Sequence, residues 1–201
     1  VTSANNIIAS GTLDVEMYYA DGTKAVPADD SADWNDASTG AIFDYDKWEP
    51  GYVEVRHIKI ANVGTLALKY KVEIVANGTV SDLANVIDVY YVDPAVQVAD
   101  RDALVDSYKL GTLTEVLAGL ATTGHGTLIA GDDDTITLAL KMQETAGNEY
   151  QDKEIGTDFA VKVFATQLNS EKDSFDENYD ESASYPRPEF VELTTPQDFT
   201  T

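Results

Sequence analysis

The chain has 201 residues, 36 of them acidic and 13 basic, which leaves a formal charge of −23. That sign is wrong for neutralising phosphates, so nucleic acid is excluded as a partner by this route, and anionic lipid is repelled. Cysteine is absent and histidine occurs only as His57 and His125, which removes disulfides, thiolate zinc sites, a cysteine nucleophile and a histidine-rich metal site together.

Hydrophobic residues make up 43% of the chain, enough for one core, and the length suits a single all-β domain. No apolar run approaches the ~18 residues that span a bilayer. The chain opens on Val1 rather than Met. Such a start reads as the mature end left by signal-peptide cleavage and predicts a secreted protein, extracellular or at the cell surface.

Residues 1–10 carry no charged side chain, which is unusual in so acidic a sequence. They read as a frayed terminus, as an extra strand of their own sheet, or as a strand added to a neighbour's. Strand addition satisfies open-edge backbone groups, and a contact of that kind that does not close on itself makes a filament. Thr12 to Tyr19 follows as the first alternating segment, with Leu13, Val15 and Met17 on one face and Asp14 and Glu16 on the other. Asp21-Gly22 is a hairpin signal. Asp29 to Asp46 has six Asp and no basic residue and reads as a long surface loop.

Pro50-Gly51 opens the next strand, Tyr52 to Ile60, with Val53, Val55 and His57 on one face and Glu54, Arg56, Ile58 and Ile60 on the other. Asn62 and Gly64 suit positive-φ positions in the turn after it. Leu66 to Val75 sets Leu66, Leu68, Tyr70, Val72 and Ile74 against Lys69, Lys71 and Glu73. Asn77-Gly78 marks a turn, and Val86 to Val92 is an apolar strand. Arg101 to Leu120 has helical spacing broken at Gly111, which predicts two short helices, the second capped by Thr112 or Thr114. Thr135 to Met142 sets Ile136, Leu138, Leu140 and Met142 against Thr137 and Lys141, and Phe159 to Ala165 ends the alternating segments with Phe159, Val161 and Val163 against Lys162. Ser170 to Thr201, with nine acids and three prolines, reads as an acidic segment packed on the body or trailing from it. The whole predicts an all-β jelly-roll sandwich with a short helical insertion.

Little of this sequence supports enzyme chemistry. His57 alternates with valines and reads as a packed strand residue. His125 sits between glycines in a turn. No HExxH, GxGxxG or Walker pattern occurs. Calcium is the more serious chemical option, since hard cations take clustered oxygen ligands. The candidates are Asp132, Asp133 and Asp134, the Asp44 and Asp46 pair, and Asp173, Asp176 and Asp180, none in an EF-hand spacing. Asn77-Gly78-Thr79 is an N-glycosylation sequon.

Six short runs share an order with a known family: Ala9-Ser-Gly-Thr-Leu-Asp14, Trp48-Glu-Pro-Gly51, Ile60-Ala-Asn-Val-Gly-Thr-Leu-Ala-Leu-Lys-Tyr70, Gly147-Asn-Glu-Tyr-Gln151, Phe164-Ala-Thr-Gln167 and Asp173-Ser-Phe-Asp-Glu-Asn-Tyr-Asp180. In these the chain resembles the TasA and camelysin family of SipW-processed secreted proteins and the related archaeal pilus-like filaments. The resemblance implies a jelly-roll subunit of extracellular biofilm-matrix fibres that polymerises with itself, head to tail, by donor-strand insertion. It places the donor at Thr2, Ser3, Ala4, Asn5, Asn6, Ile7, Ile8, Ala9 and Ser10, within a donor segment 1–10, ahead of a jelly-roll domain 11–169 and an acidic segment 170–201. Bundling of filaments is compatible with it. Two alternatives remain at this point: a monomeric secreted module binding calcium or a partner protein through its acidic loops, and a camelysin-like metallopeptidase, for which the chain offers no metal-ligand constellation.

Overall fold

The computed structural model describes residues 11–121, 123–155 and 158–167. The period-2 segments become strands: β1 (Val15–Asp21), β2 (Asn35–Asp36), β3 (Val53–Asn62), β4 (Leu68–Ala76), β5 (Ile87–Val92), β6 (Lys109–Thr112), β7 (His125–Leu128), β8 (Asp133–Met142) and β9 (Phe159–Gln167). Every ladder among them is antiparallel. They form a six-stranded sheet in the order β2-β1-β3-β8-β5-β6 and a three-stranded sheet in the order β7-β4-β9. The chain is all-β, and no helix among the described residues is long and apolar enough to cross a membrane.

The two sheets enclose one main core. Its centre is Ile58 and Ile60 of β3, Leu68, Tyr70 and Val72 of β4, and Leu138 and Leu140 of β8, each at most 1% exposed. A fully buried aliphatic side chain contributes about 1.5–3 kcal/mol, so these strands carry much of the stability. On β4, β8 and β9 the inward faces are those the alternation indicates. On β3 the inward face is Ile58 and Ile60, while Val55 and His57 point to the outer face. That outer face is also covered. Val98 and Leu104, from the connection after β5, pack there on Val55, Tyr90 and Ala139.

This covering explains where the helical spacing misleads. Residues 101–108 form two short 3-10 turns, Arg101–Ala103 and Asp106–Tyr108, and then β6 adds to the sheet edge. The Asp100 side chain caps the first of these turns by accepting from the Asp102 amide, and the turn ends at once where the Leu104 amide donates to the Arg101 carbonyl. Leu104 is thereby turned onto the sheet. Only the second predicted helix forms, as α1 (Leu113–Leu117), with Thr112 and Glu115 making a reciprocal capping box. Asp21-Gly22 is a turn but not a tight hairpin, because the chain runs on to β2 and β1 pairs next with β3. His125 begins strand β7 rather than sitting in a turn ahead of it.

The end of the sandwich where β3 crosses to β4 is tightly built. Neither Asn62 nor Gly64 has a positive φ, so their roles differ from the expected one. Asn62, 1% exposed, donates from Nδ2 to the carbonyls of Leu66 and Leu128 and accepts from the Gly64 amide. A Cβ on Gly64 would lie 2.4 Å from the Thr12 carbonyl oxygen, so glycine is required there for close approach. The Thr12 carbonyl in turn accepts from the amides of Thr65 and Leu66. These bonds fasten the start of the described chain to this end, which we call the tip.

Candidate assembly site

Alternation along β1 and β9 turns Val15, Met17 and Tyr19 inward from one sheet and Val161, Val163 and Ala165 inward from the other. All six pack on the core yet stay half-buried, unlike Ile60 and Val72, their fully buried neighbours on β3 and β4. Among the described residues β9 has one strand neighbour, β4. Beyond its other edge the described residues leave a slot between the sheets. Two cavities line that slot and share Met17 and Ala37: one of about 170 Å³ beside Phe43 and Val161, one of about 290 Å³ beside Val15 and Val163. The cavities touch β9 from Phe159 at the far end to Val163, and the edge of the strand continues to Gln167 at the tip.

The far mouth is bordered by residues 40–46, part of the acidic segment expected to be a surface loop. Ile42 and Phe43 within it are buried, and the Phe43 ring lies 6.5 Å from that of Phe159. Arg56 holds this segment in place. Its Nε donates to the Ile42 carbonyl at 2.7 Å, and one terminal nitrogen contacts Asp44 at 3.0 Å and Glu54 at 2.6 Å. The Asp44 amide also donates to Glu54 Oε1. Sequence reading missed this clamp. Its available signal was the apolar pair Ile42-Phe43 inside an acidic run, which has to dock somewhere.

Glu54 is 5% exposed, and its Oε2 has no hydrogen-bond partner. Burial raises the Glu54 carboxyl above its ordinary range, with the Arg56 charge opposing. A carboxyl raised in the folded state binds its proton more tightly there than in the unfolded chain. Its contribution to stability is therefore fully present at low pH and is lost as pH rises from the ordinary carboxylate value through the raised one. We expect the melting temperature of the native chain, measured relative to that of Glu54→Gln, to increase as pH falls from about 7 to about 5. Parallel melting curves at the two pH values would remove Glu54 as the cause.

The other candidate residues are dispersed. Asp133 and Asp134 lie on opposite faces of β8. Asp134 accepts from the Tyr70 hydroxyl and from the Thr135 amide. Asp133 faces Asp29 and Lys59, and burial, followed by the Asp29 charge, raises its carboxyl. Among the described residues no three acidic or histidine side chains gather as a metal ligand set, because strand alternation separates the run of three aspartates. Asp44 is taken by Arg56. His57 is fully buried, with Nδ1 2.7 Å from Thr137 Oγ1 and Nε2 3.0 Å from the Lys24 carbonyl oxygen, the packed role its strand position suggests. Gly78 of the sequon adopts a positive φ of 99° in its turn. The expected donor, Thr2 to Ser10, and Asp173, Asp176 and Asp180 lie outside the described residues.

Comparison with protein-family models returns no match to this chain, and comparison with curated proteins returns none either.

Proposed function

We propose that this chain is the structural subunit of an extracellular filament, a jelly-roll-type body that accepts the uncharged segment 1–10 of a neighbouring copy in the slot between β1 and β9. The observation that carries this reading is the half-covered inward face of both strands. Val15, Met17, Val161 and Val163 are positioned for a core and covered by only part of one, as expected of a sandwich lacking one strand. A strand laid along β9 would hydrogen-bond its open edge and cover these side chains. Residues 1–10 suit the place because none is charged and Ile7, Ile8 and Ala9 are apolar. The resemblance to the TasA and camelysin family agrees with a secreted matrix fibre and with a structural rather than enzymatic role.

The test is negative-stain microscopy of the full-length chain beside a variant lacking residues 1–10. We expect filaments from the first and monomers from the second. Filaments from both would move the interface away from this segment. Monomers from both would favour the calcium- or partner-binding module, to be followed by calcium titration.

A further inference from the structure

Leu13, Val63 and Ile129 are 44%, 47% and 62% exposed, and all three belong to the tip. The Val63 amide donates to the Asp14 carbonyl, the Gly131 amide to the Asn62 carbonyl, and the Asn62 amide to the Asp132 carbonyl. These bonds tie the three segments bearing the apolar side chains together at the place where residues 1–10 join the body. At the opposite end, beside the far mouth of the slot, a cavity of about 400 Å³ is lined by Ala76, Val80 and Leu117, with Ser81, Asp82, Asn85 and Thr114 at its polar parts. Ala76 pairs with Phe159, and the Ser81 amide donates to Asp158, so this cavity adjoins the mouth.

We infer that the apolar tip of one copy seats in this far-end cavity of the next, an inference that rests on the head-to-tail reading above. Two arguments identify a second copy as the occupant. The first is reach. Ten extended residues span at most about 33–36 Å, and the nine-residue edge of β9 is about 30 Å long. Residues 1–10 paired along that whole edge have only a few ångströms of slack before Gly11, and the two bodies must touch where the strand enters.

The second argument is polarity. The donor leaves its own body at the tip. In a filament whose copies all point the same way, the next copy lies beyond that tip and presents its far end to it. The donor then enters at the Phe43 and Phe159 mouth and runs antiparallel to β9. The tip meets the end of the neighbour that holds Ala76, Val80 and Leu117. An apolar contact is also what a subunit of charge −23 needs at this junction, since its charged surface repels its own copies.

The chain has no cysteine, so introduced thiols report without background. Full-length protein carrying both Ile129→Cys and Ala118→Cys, the latter next to Leu117, is assembled, oxidised and run on a non-reducing gel. Within one chain these positions are at opposite ends of the strands, about 30 Å apart, so a bond between them has to join two copies. We expect a ladder of multimers from the double variant and none from either single variant. Filaments without a ladder would overturn the contact while leaving strand insertion intact. Dimers from Ile129→Cys alone would mean tip against tip and overturn it too. In monomers of Ile129→Cys, protection of the introduced thiol from a labelling reagent would show that the chain's own residues 168–201 cover the tip, with the same consequence. Absence of filaments from the native chain would instead sink the head-to-tail reading, and this contact with it. Should the cysteine variants fail to assemble, Ile129→Asp provides a second route. It should weaken assembly by about tenfold or more, while a synthetic peptide of residues 1–10 still binds the monomer. Native-like assembly of that variant would also overturn the contact.

Discussion

Val163→Asp should abolish filaments at concentrations where the native chain assembles, while leaving a folded monomer. Val163 sits opposite Val72 on the inward face of β9, half-buried at the cavity that Val15 and Met17 also line. In the monomer a carboxylate there reaches water through the open slot, so folding loses little more than one methyl-bearing contact, about 1–2 kcal/mol. In the filament the donor strand would close the slot over that charge with no cation beside it. An uncompensated buried charge costs several kcal/mol, and each 1.4 kcal/mol is tenfold in affinity, so the critical concentration should rise by about a hundredfold or more. Lys162→Gln is the matched control, because Lys162 is the exposed residue of the same strand, and it should assemble as the native chain does. Sedimentation of assembled material, with circular dichroism of the soluble fraction, separates the outcomes. Filaments of Val163→Asp at native concentrations would place the acceptor elsewhere.

Asn62→Ala should be the most destabilising of the conservative truncations at the tip. The native side chain serves the Leu66 carbonyl at 2.8 Å, the Leu128 carbonyl at 3.2 Å and the Gly64 amide at 3.1 Å. Leu66 and Gly64 belong to the crossing between the sheets, and Leu128 ends β7. Alanine would leave the Leu66 and Leu128 carbonyls short of a donor in a largely buried site, while the Gly64 amide keeps a second acceptor in the Asp14 carbonyl. With about 1–3 kcal/mol for each buried unsatisfied group, and carbonyls able to find other donors, a loss of about 3 kcal/mol is expected. In a domain of this size that is about 6–12 °C in melting temperature. Urea unfolding of the two proteins measures it, and a loss under about 1 kcal/mol would mean that water or backbone adjustment replaces the asparagine. Asn62→Asp should be no better than alanine, since a carboxylate has no N–H to offer either carbonyl.

These two sites differ in how far the sequence reveals them. Val161 and Val163 are plain from alternation, and so is their inward direction. That they remain half-covered is not, because it depends on which of the described strands lie beside β9. Asn62 stands out only as part of a turn. A positive-φ turn and a side-chain bridge between sheets call for the same residue type, and local sequence does not separate them. Gly64 is similar: its need is space for Thr12, a partner 52 positions away in the chain. The Glu54 and Arg56 clamp was hidden because Glu54 looks like the polar half of an alternating strand, whereas β3 is covered on both faces.

What the sequence determined by itself is therefore local or additive. Period-2 patterning set the strands and, for most of them, the inward face. The excess of carboxylates set the sign of every long-range electrostatic effect. The absence of cysteine removed whole classes of chemistry, and Thr112 with Glu115 specified the start of α1. Tertiary structure alone decided which face of β3 meets the other sheet, why residues 101–108 cover a sheet instead of forming a helix, and where the slot between β1 and β9 lies. The physical reason is the range of the interactions. Alternation and capping act over a few residues, but the partner of each strand is chosen by burial against distant segments, as His57 against Thr137 at a separation of 80 residues.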